Sequence, residues 1–226
     1  MYANNNSSVA KMPVGGKRDT SILRHPQSLR GPSEDPRKGG RSERSQNEVS
    51  RFSTTLLLPQ MDVPDGYIRL AGPIEYDNIV NGDGLRAVIW TQGCRQHCPG
   101  CQNAETWSET AGVLVPLAEV KDRLRQLKGQ TGLTFCGGEP LLQSKACLRI
   151  ANFAKKELGW NVWSFTGLTY EKVRGENGTA WKFIKSLDAL IDGPFILNQR
   201  DLTLKFRGSK NQRLLYLKNG EIIKQE

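Results

Sequence analysis

The chain has 226 residues, of which 32 are basic and 23 acidic, giving a formal net charge of +9. This length suits one domain with a single core and a tail, and it excludes a multidomain assembly. No apolar run approaches the roughly eighteen residues that span a bilayer, and the N-terminus lacks the apolar segment of a secretory signal. We therefore expect a cytoplasmic protein.

The positive charge is concentrated at the start of the chain. Residues 1–60 hold ten basic and five acidic residues, and residues 61–226 hold twenty-two and eighteen. The first sixty residues are rich in Asn, Ser, Gly, Pro and Arg, a composition that cannot offset its conformational entropy by burial. We predict a disordered basic extension at 1–60 and a folded domain at 61–226. The extension is an arm with a binding role, an appendage without one, or sequence upstream of a true start at Met61; we favour the last two.

Beyond Met61 the chain alternates short β-branched or aromatic runs with helical segments, the pattern of βα units on a mostly parallel sheet. Pro116 at a first helical position and Gly129 just past the end bound one amphipathic helix. Predicted strands cover residues 86–91, 133–136, 161–166 and 189–192, with an edge strand at 214–217. Further predicted helices cover residues 144–158 and part of 168–187. These units are too few to close an eight-stranded barrel, so we predict an α/β fold with an open partial barrel.

Three cysteines follow the first predicted strand directly. Cys94, Cys98 and Cys101 have C-x3-C-x2-C spacing, in the kind of loop where active sites of βα proteins collect. They lie too close in sequence for a disulfide framework. Three thiolates in one loop can ligate three irons of a cubane cluster and leave the fourth iron without a protein ligand.

Two other interpretations of the cysteine loop stay open. A zinc site would need His97 as a fourth ligand, because the chain has no second C-x2-C or H-x3-H pair. Thiols that merely pack in a core are disfavoured by the polar, Gly/Pro-rich surroundings. Cys136 and Cys147 differ from the loop cysteines, because each lies on an apolar face and is predicted to be a small buried hydrophobe.

A second motif follows the next predicted strand and should therefore lie at the same end of the sheet. It is the run Gly137-Gly138-Glu139-Pro140. Two glycines allow the backbone to approach a ligand closely. The backbone carbonyls and the Glu139 carboxylate suit a ligand that carries an ammonium group.

The cysteine loop followed by GGEP resembles the radical S-adenosylmethionine (SAM) superfamily, over about residues 67–213. Four further motifs look like those of glycyl-radical-enzyme activases: NGDGLR at 81–86, CPGCQNAETW at 98–107, WSFTG at 163–167 and DGPF at 192–195. The run FRGSKNQR at 206–213 is similar to the C-terminal signature of the proteins that activate anaerobic ribonucleoside-triphosphate reductase.

This resemblance implies a radical SAM fold and a [4Fe-4S] cluster on the three loop cysteines. It implies SAM contacts at two groups of residues: Gly100, Cys101 and Gln102, and Gly137, Gly138 and Glu139. The implied reaction cleaves SAM reductively and forms a glycyl radical on the partner reductase, with a reduced flavodoxin or ferredoxin-type electron donor. Gln102 departs from the pattern, because relatives usually carry an aromatic residue or His there.

Several residues keep two interpretations. Asp192 either reaches the site or lies in a solvated turn. Arg207 and Arg213 are either ordinary surface charges or functional residues that dock the partner or orient SAM. Three tryptophans, Trp90, Trp107 and Trp163, are predicted to be core aromatics.

Two alternative functions remain for the whole domain. The first is a radical SAM enzyme that acts on a small molecule, similar to 7-carboxy-7-deazaguanine synthase, although the FRGSKNQR run argues against it. The second is a metal-stabilised module that binds nucleic acid, favoured only if the protein held zinc and bound DNA with a steep salt dependence.

Overall fold

The computed structural model describes residues 58–226, which form one mixed β-sheet with α-helices packed against it. The strands are β1 (Tyr67–Leu70), β2 (Glu75–Asn78), β3 (Arg86–Thr91), β4 (Val113–Pro116), β5 (Gly132–Gly137), β6 (Asn161–Phe165), β7 (Ala189–Asp192), β8 (Arg213–Lys218) and β9 (Glu221–Gln225). The helices are α1 (Leu117–Gln126), α2 (Ser144–Glu157), α3 (Tyr170–Arg174) and α4 (Thr179–Lys185). In this part of the chain, no helix has the length and apolar character needed to cross a membrane.

The centre of the sheet is parallel and its sides are antiparallel. Strands run in the order β4-β1-β3-β5-β6-β7-β8-β9, and β2 pairs with β3 off this path. The β3–β5, β5–β6 and β6–β7 ladders are parallel, while the ladders of β1, β2, β4, β8 and β9 are antiparallel. Thr91 and Gly137 are in register, so the loops that follow β3 and β5 leave the sheet side by side.

The main core lies between the sheet and the helices. Strand residues alternate between the two faces of a sheet, so Ala87 and Ile89 of β3 face the helices together with Leu133 and Phe135 of β5. Helix α2 buries Cys147, Ile150, Ala151 and Ala154, and α1 buries Leu117, Val120 and Leu124. A second cluster on the opposite face joins Trp163, Ala189, Ile191 and Leu214.

The α/β class is confirmed, as are the bounds of β3 and β7, but several details of the prediction are wrong. Taken whole, the sheet is not mostly parallel, because short antiparallel strands flank the four central ones. Residues 168–187 form two helices, because the chain turns at Asn177, which has a φ of 47°. Pro116 is the N-cap of α1 and the last residue of β4, and it lies before the first helical turn. Strand β8 is not an edge strand, because β9 pairs with it.

Contacts of the folded domain begin before the predicted boundary at residue 61. The Leu58 backbone N–H donates to Glu176 Oε2 over 2.9 Å, and Gln60 Nε2 donates to the Leu141 carbonyl over 2.9 Å. Met61 is buried, and its backbone N–H donates to the Leu142 carbonyl. Of the residues 1–60 predicted to be disordered, 1–57 lie outside the described residues, and the domain boundary stays a prediction.

A fully buried arginine joins the central strands at their amino ends. Arg86 Nε donates to Thr134 Oγ1 over 2.6 Å, Nη2 donates to the Leu133 carbonyl over 2.7 Å, and Nη1 donates to Asn161 Oδ1 over 2.7 Å. Its guanidinium carbon lies 4.9 Å from the centre of the Trp163 ring. Burial lowers the pKa of Arg86 to about 10, so it stays charged at neutral pH. Arg86 therefore ties β3 to both β5 and β6.

Replacement of Arg86 by Met tests this connection. Met keeps part of the buried volume but leaves buried acceptors without donors, so we expect a loss of about 3 kcal/mol in the free energy of unfolding. The measurement is the urea midpoint of protein kept under anaerobic conditions. Arg123→Ala is the control, because its exposed pair with Glu119 contributes less than about 0.5 kcal/mol. Equal midpoints for the two variants would contradict the structural role of Arg86.

Candidate metal centre

The cysteine loop leaves the carboxyl end of β3 and returns to it. The Gly93 backbone N–H donates to the Thr106 carbonyl over 2.8 Å, and the Cys94 N–H donates to the Trp107 carbonyl over 3.0 Å. Within the loop, the Cys101 N–H donates to the Cys98 carbonyl over 3.0 Å. All three thiols are free and partly exposed. The loop is thus closed at its base and presents its thiols at the surface.

Backbone N–H groups point at two of the loop sulfurs. The Asn103 N–H donates to Cys101 Sγ over 3.4 Å. Burial raises the pKa of the Cys94 thiol, and hydrogen bonds from the N–H groups of Gln96 and His97 oppose that rise. A bare thiolate at Cys94 is therefore costly, and a bound cation would offset that cost. Hydrogen bonds of this kind are also made to the sulfurs of protein-bound iron-sulfur clusters.

The loop suits a cluster better than a single zinc ion. Between residues 58 and 226, no group of three or more His, Cys, Asp or Glu side chains is arranged to hold one ion. The cysteines of a cubane each ligate a different iron, so their sulfurs stand farther apart than the ligands of one zinc. His97 is exposed, and its ring stacks on Trp107 with the two ring centres 4.7 Å apart. The donor types, three thiolates in one loop, fit a cluster held by three cysteines.

The GGEP loop packs directly on the base of the cysteine loop. The Gly138 N–H donates to the Thr91 carbonyl and the Glu139 N–H donates to the Gly93 carbonyl, each over 2.8 Å. A Cβ on Gly138 would collide with the Gly93 carbonyl oxygen, and a Cβ on Gly137 would lie 2.6 Å from the Thr91 carbonyl oxygen. The structure thus gives the two glycines a role in loop packing, whereas the sequence pointed only to close approach by a ligand.

Glu139 joins the loop after β5 to the loop after β6. It is 3% exposed, and its Oε2 accepts from Thr166 Oγ1 over 3.0 Å and from the Gly167 N–H over 2.8 Å. Its Oε1 accepts from the Leu141 N–H over 3.1 Å. Burial raises the pKa of Glu139, and these hydrogen bonds oppose the rise. Oε1 has a single donor among the described residues, so the carboxylate keeps capacity to accept from a ligand.

The residues predicted to contact SAM fall into two groups of different character. Gly100 and Gln102 lie on the exposed turn around Cys101, and Gly100 adopts a φ of 74°. Gly137 is the last residue of β5, and Gly138 and Glu139 follow it in the GGEP loop. Thr166 is an additional residue at this site that sequence reasoning missed, although it is part of the WSFTG motif.

Asp192 and Arg213 form an ion pair beside the site. Asp192 is 1% exposed and accepts from the Tyr170 N–H over 2.7 Å, so the solvated-turn interpretation is wrong. Arg213 donates to both oxygens of Asp192 and to both oxygens of Glu171. These bonds join β8 to β7 and α3, which gives Arg213 a structural role.

The three tryptophans predicted in the core differ in their burial. Trp163 is buried, as predicted, while Trp90 is partly exposed and the stacking partner Trp107 is partly exposed. Cys136 and Cys147 are buried, as predicted. Burial raises the pKa of Cys136 to about 12, which keeps that thiol protonated and unreactive.

Residues 80–215 match the model of a protein family described as a 4Fe-4S single cluster domain. The match includes all three loop cysteines and the GGEP loop. The anaerobic ribonucleoside-triphosphate reductase-activating protein of Haemophilus influenzae is 34% identical over 142 residues, which cover 60% of this chain and 90% of that protein. The chain belongs to this family of activating proteins.

Other members of the activating-protein family align over the same share of the chain. The protein of Escherichia coli K12 is 28% identical over 148 residues, covering 62% of this chain and 94% of that protein. The protein of Enterobacteria phage T4 is 32% identical over 155 residues, covering 62% of this chain and 93% of that protein. The crystal structure of QueE from Escherichia coli aligns with a TM-score of 0.38 and 16% identity, over 45% of this chain and 52% of that chain, which is too weak to inform the fold.

Gly138→Ala tests the packing of the two loops in this activating protein. The added methyl group meets backbone atoms that cannot rotate away, so the loops must separate, at a cost of about 1–3 kcal/mol. We expect lower iron and sulfide content after anaerobic reconstitution, with a far-ultraviolet circular dichroism spectrum close to that of the wild type. Gly72→Ala is the matched control, because a Cβ there meets nothing within 4 Å. Full cluster content in Gly138→Ala would contradict the packing role.

Glu139→Gln tests the buried carboxylate. In the wild type both carboxylate oxygens accept hydrogen bonds, whereas the Gln side chain has an NH2 group in place of one oxygen. One buried N–H or hydroxyl donor therefore loses its acceptor, at a cost of about 1–3 kcal/mol. We expect a lower thermal midpoint and weaker SAM binding, measured by calorimetry on the reconstituted protein. Glu105→Gln, which changes an exposed carboxylate near the cysteine loop, should leave both unchanged. An unaltered midpoint in Glu139→Gln would show that its hydrogen bonds contribute little.

Proposed function

We propose that this protein binds a [4Fe-4S] cluster through Cys94, Cys98 and Cys101 and uses it to activate an anaerobic ribonucleoside-triphosphate reductase. The observation that carries the proposal is the closed loop of three partly exposed, unpaired thiols at the carboxyl end of β3. Its donor set matches the 4Fe-4S family to which residues 80–215 belong. The relatives that align over this region are named as activating proteins of that reductase.

The same proposal assigns SAM to the space beside the cysteine loop. The exposed turn Gly100-Cys101-Gln102 would contact it on one side, and Gly137, Gly138 and Glu139 on the other. Support comes from the hydrogen bond between the Glu139 N–H and the Gly93 carbonyl, which holds the two loops together at the end of the parallel strands. Ligands of α/β proteins bind at that end of a sheet.

A bound cluster would supply the electron for reductive cleavage of SAM, and the hydrogen atom removed in the reaction would come from a backbone glycine of the reductase, leaving a glycyl radical there. Cys94, Cys98 and Cys101 would hold the cluster, and the residues of the two loops beside it would bind SAM. Glu139 holds the loops after β5 and β6 in position through Thr166 and Gly167.

Several finer assignments belong to the proposal. The parallel strands with β8 would form an open partial barrel of the radical SAM type, with residues 61–226 as the activase domain. The electron would come from a reduced flavodoxin or ferredoxin-type protein, for which the partly exposed thiols offer a short path. A cytoplasmic location and the absence of direct nucleic-acid binding stay predictions. No contact in the described chain favours the small-molecule or nucleic-acid alternatives.

Electron paramagnetic resonance after anaerobic reconstitution tests the function. We expect the reduced protein to show a [4Fe-4S] signal that changes on addition of SAM, and an organic radical signal to appear on added reductase. Cys98→Ala should abolish SAM cleavage and the organic radical. Cys136→Ala is the matched control, because that thiol is buried and protonated, and it should retain both. Wild-type activity in Cys98→Ala would overturn the proposal.

A further inference from the structure

Residues 193–212, which we name the crossing segment, connect β7 to β8 over the sheet face opposite the helices. At one end a Cβ on Gly100 would lie 2.8 Å from Leu197 Cδ1, so the segment touches the cysteine loop. At the other end the Phe206 ring packs edge-on against Trp163, with the ring centres 5.5 Å apart. The segment therefore runs from the cysteine loop across the sheet face that lies opposite the helices.

The polar residues of the FRGSKNQR run hold the crossing segment in place. Gln212 Oε1 accepts from the Gly208 N–H over 2.9 Å, and its Nε2 donates to the Gly193 carbonyl over 3.1 Å. Asn211 Nδ2 donates to the Pro194 carbonyl over 2.7 Å. Asn211 and Gln212 thus have a structural role, which is to hold the fold of the segment, and Arg213 has one through its ion pairs.

Other side chains of the crossing segment have no such structural role. Leu197 is 51% exposed and Leu202 is 78% exposed. Arg200 is exposed, and Arg207 donates only to the Lys205 carbonyl, over 3.3 Å. Within residues 58–226, neither arginine forms an ion pair with a carboxylate. Exposed leucines beside unpaired arginines are typical of surfaces that bind another protein.

The backbone fixes where Arg207 lies. Phe206 has a φ of 58°, a left-handed conformation that is uncommon and costly for a bulky residue. Packing of its ring on Trp163 holds that conformation, and Lys205 Nζ lies 2.7 Å from Asp83 Oδ1 in the loop before β3. Arg207 is therefore presented by a turn anchored on both sides, a rigid arrangement that lowers the entropy lost on binding.

We propose that the outward side of the crossing segment, formed by Leu197, Arg200, Leu202 and Arg207, docks the glycine-bearing segment of the partner reductase. The inference rests on the proposed function. Lys205 and Lys210 of the segment already pair with carboxylates of this chain. Arg200 and Arg207 have no such partner among the described residues, so the occupant must carry acidic side chains. Its glycine must come near the cluster, and this surface begins where Leu197 meets Gly100. Charge would steer the encounter, and the two leucines would hold the complex.

The test uses the reconstituted full chain and the purified reductase. The variant Arg200→Glu/Arg207→Glu should lower the rate of glycyl radical formation about tenfold at low salt, because like charges repel the acidic partner. High salt should narrow the difference from the wild type. SAM cleavage without reductase should continue at the wild-type rate. The control Lys128→Glu/Lys156→Glu makes the same change of charge at two exposed positions away from this face and should activate normally.

Two further variants separate charge from shape and from folding. Arg200→Lys/Arg207→Lys keeps the charge and should retain most of the radical yield. Leu202→Ser alters a side chain that supports no core contact, and it should weaken activation several-fold without changing cluster content. Wild-type activation in both the glutamate double variant and Leu202→Ser would overturn the docking inference. Failure of the wild-type protein to form any radical on the reductase would instead overturn the proposed function.

Discussion

The site depends on one close contact, between the loop after β5 and the base of the cysteine loop. Gly138 lies against the Gly93 carbonyl with no room for a side chain, and the Glu139 N–H completes the contact with a hydrogen bond. A parallel register between β3 and β5 makes this possible, because it brings Thr91 and Gly137 out of the sheet together. Main-chain atoms of the GGEP loop thus support the base of the cysteine loop, and its three thiols stay free and partly exposed.

The buried Glu139 carboxylate extends that contact to a third strand. Its oxygens collect donors from the loops after β5 and β6, and its own N–H reaches the loop after β3. One residue therefore connects the loops that follow three adjacent parallel strands, β3, β5 and β6, at their carboxyl ends. Arg86 does the same at their amino ends, through acceptors on β5 and β6. The two buried residues hold opposite ends of the central strands. Each is stabilised by hydrogen bonds and not by an opposite charge.

Much of the fold was predictable, for identifiable reasons. Strands β3 and β7 are short runs of apolar and β-branched residues that are buried, so their bounds were clear from the sequence. Strands β2 and β9 are mostly exposed and carry charged residues, so their pattern gives no core signal. The break between α3 and α4 lies at Gly175 and Gly178, which cap the two helices, and at the left-handed Asn177 between them. Strand β8, which flanks the parallel strands on the other side, was predicted, because its leucines are buried.

The sequence by itself determined the chemistry of the site. Three thiols at C-x3-C-x2-C spacing within one loop limit the metals it can hold, because the ligand types and their reach are set by local covalent structure. The tertiary structure alone decided what surrounds those thiols. Thr166 reaches Glu139 from 27 positions away, Arg213 is committed to Asp192 and Glu171, and the crossing segment turns its leucines outward. Those partners are distant in sequence, and only the parallel register and the packing of loops across the sheet bring them together.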